Sequence, residues 1–359
     1  MVSSLRLRPH QRSTGTLVAA YAVLAALLAA NCRMAFCGLQ LAETPRSMSM
    51  PARTAAEKVA ESNLDPLEVP DGFAIPEPKP LSLTRLDLLP ALIGGALALA
   101  LRFASSVFVV GWQPRLLPKS AEESLGEGEY ALQLGPICLR DDSDSLAGKL
   151  KRPAEPLVLY EYEASPFCRK VREAVCMLDL PCEFRPCPGA RAGFAAELAQ
   201  RTGRRTVPYL VDPNKQEAMF ESDDIVDYLF DTYGPGRDAV PFVLREPFAR
   251  PSATYATLAR GLAGAKREPA ARPDNVARKP VELWGYEASP FVRVVREKLC
   301  SLCLPHVLIP CSRGSANRDA LVAKTGRFQV PYLRDPNTGI EMFEAPEICE
   351  YLQNVYTKT

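Results

Sequence analysis

Residues 157–234 and 281–356 are two copies of one sequence. The first opens LVLYEYEASPFCRKVREAVC and the second VELWGYEASPFVRVVREKLC, and both carry VPYL, DPN and MFE further on. The register between them is nearly constant, slipping by one residue between Cys187 and Thr202. Self-similarity of this kind identifies a duplicated structural unit, so one reading of local periodicity serves both halves.

Leu157–Tyr160 mixes aliphatic, β-branched and aromatic residues ahead of a turn, which predicts a strand. From Phe167 the apolar positions Phe167, Val171, Ala174, Val175 and Leu178 recur at helical spacing, with Pro166 tolerated in the first turn. Cys182–Cys187 predicts a second strand and Phe194–Thr202 a second helix. Val207–Val211 predicts a third strand, Asp212-Pro213-Asn214 a turn, Glu217–Phe220 a fourth strand, and Ser222–Tyr233 a closing helix. The expected fold class is α/β: two tandem domains of order β-α-β-α-β-β-α. The expected boundaries are 155–236 for repeat 1, 237–279 for a Pro/Arg/Gly/Ala linker, and 280–359 for repeat 2.

The N-terminal part reads differently. Residues 1–16 carry Arg6, Arg8 and Arg12 and no acid, and the apolar run Leu17–Ala30 has the length of a signal-peptide core rather than a bilayer span. The Ser/Thr- and Arg-containing stretch that follows suits a transit peptide, so residues 1–55 are expected to be a removable leader. Starting at Phe36, that stretch resembles the bipartite leaders of algae with complex plastids, which implies delivery to the plastid. Residues 56–154 form an accessory segment with a second apolar stretch, 88–112. It is long enough to span a membrane, whereas Arg102 and Gly94-Gly95 favour a packed helix and strand. Membrane attachment through 88–112 therefore stays open.

Composition excludes some functions. With 43 Lys and Arg against 42 Asp and Glu, the net charge is +1, so no basic stripe marks a nucleic-acid partner. A 47% apolar content excludes wholesale disorder. Only His10 and His306 exist, which leaves no histidine-rich metal site. Cys300 and Cys303 form a CxxC inside a predicted helix, without the second pair that zinc requires, and no metal is expected. Cys176, Cys187, Cys300 and Cys311, matched between copies, read as core fillers. His306 reads as a partly exposed strand residue. Arg169, Lys170 and Arg172 read as the polar face of the first helix, either solvated or attracting an anionic ligand.

The element order, Ser-Pro-Phe opening the first helix and Val-Pro before the third strand resemble the thioredoxin fold, and more narrowly the glutathione S-transferase N-terminal domain and the glutaredoxins. The tandem arrangement with a leader resembles thioredoxin-like proteins of plant and algal plastids. The resemblance implies a cis bond at Val207-Pro208 and at Val330-Pro331, with Val207 pairing to the cysteinyl part of glutathione. It implies that Glu221-Ser222 holds the γ-glutamyl group, a role in keeping with the free N–H groups of a helix start. A plain helix-capping serine is the other reading of Ser222. Glutaredoxins use Cys-Pro-x-Cys, whereas this chain has Ser165-Pro166-Phe167-Cys168 and Ser289-Pro290-Phe291-Val292. Ser165 is then the residue that would hold a glutathione thiolate, and Cys168, near a helix N-terminus that favours thiolate, the one that would form a mixed disulfide. Repeat 2 has Glu344-Ala345-Pro346 and lacks both Ser222 and Cys168. Glutathione is thus expected as ligand or co-substrate of repeat 1, with transferase-like or glutaredoxin-like activity. The helical domain that completes a transferase is not expected here. The alternative is a non-catalytic scaffold that meets a plastid protein partner.

Overall fold

The computed structural model describes residues 64–70, 72–78, 89–112, 114–118, 131–134, 137–141 and 150–358. The leader read over 1–55 lies outside the described residues. Among the described residues two compact units are present, one holding 114–118, 131–134 and 137–141 and the other holding the rest. In chain order the elements are α1 (Leu89–Leu101), then β1 (Pro114–Pro118), β2 (Ala131–Leu134) and β3 (Ile137–Asp141). Repeat 1 follows with β4 (Leu157–Glu161), α2 (Pro166–Met177), β5 (Cys182–Pro186), α3 (Ala195–Thr202), β6 (Tyr209–Asp212), β7 (Glu217–Phe220) and α4 (Ser222–Tyr233). After α5 (Ala249–Leu258), repeat 2 has β8 (Val281–Gly285), α6 (Pro290–Ser301), β9 (His306–Pro310), α7 (Asn317–Thr325), β10 (Tyr332–Arg334), β11 (Glu341–Phe343) and α8 (Ala345–Tyr356). Both repeats have the expected β-α-β-α-β-β-α order. In the smaller unit β3 lies between β1 and β2 in an antiparallel sheet.

The two repeats share one eight-stranded sheet, ordered β11-β10-β8-β9-β5-β4-β6-β7. Within each repeat the first two strands are parallel and the rest antiparallel. The junction is β5 against β9, antiparallel, with Glu183 facing Val307, its own counterpart in the other copy. Cys182 faces Leu308 and Phe184 faces His306, which makes the join an internal two-fold, the geometry of a symmetric dimer interface inside one chain. Pairing also removes two sheet edges that would otherwise be open. One apolar core crosses the join, from Leu157 and Phe184 to Leu308 and Tyr356.

In each repeat the expected DPN turn is anchored by its aspartate. Asp212 accepts hydrogen bonds from the hydroxyls of Tyr228 (2.7 Å) and Tyr233 (2.6 Å), and Asp335 from those of Tyr351 and Tyr356, both 2.6 Å. The carboxylate ties the β-hairpin to the closing helix.

One expectation is corrected and one open reading is narrowed. Residues 237–279, read as a linker, contain three 3-10 turns and α5, whose Ala253, Ala256 and Thr257 are buried. The apolar stretch 88–112 ends its helix at Leu101 and turns, and among the described residues no helix is long and apolar enough to cross a membrane.

These two segments match each other. Positive φ values fall at Phe103, Ala104 and Ser106 after α1, and at Gly261, Leu262 and Gly264 after α5. Arg102 pairs with Glu173 (2.5 Å) and Arg260 with Glu297 (2.6 Å), the same position of the two first helices. The Val110 N–H donates to the Met177 carbonyl (2.7 Å) and that of Glu268 to Ser301 (2.8 Å), again corresponding residues. Counterparts stand 158 positions apart in these segments and 124 apart over the first strands and helices of the repeats; the surplus of 34 residues is the stretch that carries β1–β3. The duplicated unit is therefore a helix, a turn and a β-α-β-α-β-β-α domain, with the small sheet inserted in the first copy.

Candidate functional site

Ser165 adopts an extended conformation (φ −83°, ψ 123°) and caps α2, its Oγ accepting the Cys168 N–H at 3.2 Å. Ser289 does the same for Val292 at the start of α6. Val207-Pro208 and Val330-Pro331 are both cis, as the resemblance implied; Glu246-Pro247, not anticipated, is cis too. Glu221 caps α4 in place of Ser222, which is the first helical residue and buried. Glu221 is exposed, has φ +65° and makes no side-chain capping bond, so the first-turn N–H groups of α4 are not spent on it. Glu344 repeats this backbone at φ +75°, with Ala345 behind it and Gln329 Nε2 donating to its carboxylate at 2.7 Å. A non-glycine residue at positive φ costs on the order of 1–3 kcal/mol, and both copies retain it.

The thiol does not behave as its position suggested. Cys168 is 0% exposed, and burial, with the Glu161 carboxyl adding to it, pushes its pKa up to about 12. The helix N-terminus and the Ser165 hydroxyl act in the opposite direction and lose, because desolvating a thiolate outweighs a partial charge. Ser165 is itself only 2% exposed. Over this end of repeat 1 the Arg250 guanidinium, carried by α5, lies 5.7 Å from the centre of the Phe167 ring. In repeat 2 the corresponding place is taken by α1, where a Cβ on Gly95 would stand 2.6 Å from Pro290 Cβ.

The basic run of the first helix is likewise buried, neither solvated nor open to a ligand. Lys170 Nζ bonds Asp223 in the first turn of α4, fixing the helix start that holds Ser222. Arg169 and Arg172 cross to repeat 2, where both meet Glu287, at 3.3 and 3.1 Å. Arg296 returns the contact to Glu163 at 2.9 Å and also pairs with Glu287, as does Arg293 at 3.4 Å. Arg172 is also paired with Glu161 and, at 3.4 Å, with Glu163. Burial alone would raise the Glu287 pKa, yet Arg296, Arg172, Arg293 and Arg169 hold it well below the usual range. Glu161, with fewer cations, is pushed up by burial.

Sequence reasoning missed this cluster. Its signal was present: Glu163/Glu287, Arg169/Arg293 and Arg172/Arg296 are identical charged residues at matched positions. Cys176 and Cys300 belong to the same join, accepting the N–H of Glu287 (3.3 Å) and of Glu163 (3.4 Å) from the opposite repeat. His306, expected to be partly exposed, is 1% exposed beside Phe184.

A family model for the glutathione S-transferase, N-terminal domain, matches residues 159–237 and again 283–358. No curated protein and no solved structure matches the chain. The two matched segments coincide with the two halves of the shared sheet, each with its cis proline and its strained glutamate. The chain thus contains two tandem segments that match the glutathione S-transferase N-terminal domain, each folded in the thioredoxin-like order β-α-β-α-β-β-α.

Proposed function

We propose that repeat 1 binds glutathione without thiol–disulfide turnover. The observation that carries this reading is the start of α4: exposed Glu221 at positive φ, with Ser222 and uncapped N–H groups behind it, a setting suited to the γ-glutamyl carboxylate. Val207 supplies the backbone partner for the cysteinyl part, and the Ser165 hydroxyl is the donor for the ligand sulfur. Cys168, with its thiol held neutral, forms no mixed disulfide under this reading.

The test is calorimetric titration of the full chain with reduced glutathione. Binding is expected in the wild type. Ser222→Ala should weaken it by about ten- to a hundredfold, the effect of losing one hydrogen bond to a charged group. The scaffold reading is favoured by a different observation, the burial of Ser165 at the start of α2. It takes over if millimolar glutathione gives no heat. We further propose delivery to a plastid with loss of roughly the first 40–60 residues, on the composition of the leader; N-terminal sequencing of the mature form tests it.

A further inference from the structure

The helix pair α1–α5 lies against the first helices of both repeats, and its inner side is fully used. Ala98 and Leu99 of α1 and Ala253 and Ala256 of α5 are buried, and a Cβ on Gly94 would stand 2.7 Å from the Ala259 carbonyl oxygen, so the two helices form one layer. The outer side is apolar and uncovered. On α1, Ile93 is 61% and Leu97 51% exposed, and on α5, Tyr255 is 61% and Leu258 54% exposed. At one end the patch continues through Phe103, Phe242 and Phe248, all exposed, with ring centres 5.4 and 5.9 Å apart. Contiguous exposed apolar surface of this kind marks an interaction site.

We propose that this outer face docks on an anionic lipid bilayer. The charge pattern selects the occupant. Residues 89–112 and 242–267, which carry the patch, contain Arg102, Arg245, Arg250, Arg260, Lys266 and Arg267 against one acid, Glu246. Arg102, Arg245 and Arg260 are spent on Glu173, Asp227 and Glu297, and Arg250 lies 3.7 Å from Glu246, whereas Lys266 and Arg267 are exposed. A second copy of the chain docked face to face would set these cations against themselves; anionic headgroups would be attracted to them. Aliphatic side chains, phenylalanine rings and a tyrosine with an apolar ring and a polar tip suit the headgroup–acyl boundary, with arginine and lysine reaching the phosphates. The α1 helix has 13 residues, and at 1.5 Å per residue it is about 20 Å long, too short to cross, so the contact lies in the plane of the interface. This surface is independent of the glutathione reading and stands or falls separately.

The experiment is co-sedimentation of the full chain with vesicles of phosphatidylcholine alone and of phosphatidylcholine with phosphatidylglycerol. The expected result is binding to the anionic vesicles, weakened by salt and weaker still without phosphatidylglycerol. The double variant Leu97→Glu, Tyr255→Glu should lower that binding by about tenfold or more, since it removes apolar contact and adds repulsion. Circular dichroism checks that it folds, and Leu97→Ser with Leu258→Ser, which adds no charge, replaces it if it does not. Absence of binding to anionic vesicles overturns the proposal. So does binding that both variants leave unchanged, because the contact then lies elsewhere in the chain. Self-association that the variants abolish, with no vesicle binding, would assign the face to a second copy instead.

Discussion

His306 sits at the join between the repeats with its imidazole neutral. Burial pushes its pKa down from the ordinary 6.5 to about 3, the Leu304 carbonyl 3.3 Å from Nδ1 opposes this, and nearby Arg296 and Arg172 reinforce it. The unfolded chain takes up a proton near pH 6.5 that the folded chain refuses. Stability from this residue is complete above that pH and is lost as pH falls toward 3, with a slope of up to ~1.4 kcal/mol per pH unit. His306→Leu should remove that slope; urea unfolding at several pH values between 7 and 4 would show it, and equal slopes in both proteins would refute it. Cys168 makes a second residue-scale prediction. With its thiol fully buried and its pKa near 12, it should resist iodoacetamide at pH 8 until the protein is unfolded, as read by peptide mass spectrometry. Rapid native labelling would restore it as a reactive thiol.

At the scale of elements, α1 illustrates how packing reverses a propensity. A glycine inside a helix usually costs up to about 1 kcal/mol relative to alanine, so Gly→Ala should stabilise. Gly95 lies against the start of α6, where an added Cβ would meet Pro290 Cβ at 2.6 Å. Overpacking at such a contact costs about 1–3 kcal/mol. Gly95→Ala is therefore expected to destabilise, and a raised urea midpoint would show that α1 does not pack there. The same close approach explains why a stretch rich enough in alanine and leucine to resemble a membrane segment forms a short surface helix instead. Its glycines bring α1 against α5 and α6 and bury one side only.

At the scale of the whole molecule, the continuous sheet and the Arg–Glu cluster make the repeats one folding unit. Glu287 is met by Arg169, Arg172, Arg293 and Arg296, all buried. Its removal strands several guanidinium groups without their main acid, and breaking a buried charge pair costs about 3–5 kcal/mol. Glu287→Ala should lower stability by that order. The wild-type larger unit should unfold in one calorimetric transition, with the calorimetric and van't Hoff enthalpies equal. Separate transitions for residues 157–234 and 281–356 would show that the join contributes little.

Each repeat's interior was legible because it is local. Periods of 2 and 3.6 residues, the Pro166 and Pro290 helix starts, the DPN turns and the Val-Pro pairs all act within a few residues of one another. Bounds such as Glu217–Phe220 and Ser222–Tyr233 follow from them directly. The ligand roles of Ser165 and Ser222 come from the family resemblance rather than from local periodicity. Tertiary structure decided what those positions experience. Whether Arg172 is a solvated cation or His306 a partly exposed residue depends on groups over a hundred positions away, Glu287 and Phe184, and whether Cys168 is a thiolate depends on its burial beside Glu161. Single-copy periodicity contains no information about which face a second copy will cover. The α5 helix escaped notice for the same reason: its sequence is ordinary, and only packing against α1 and α2 gives it a face to bury.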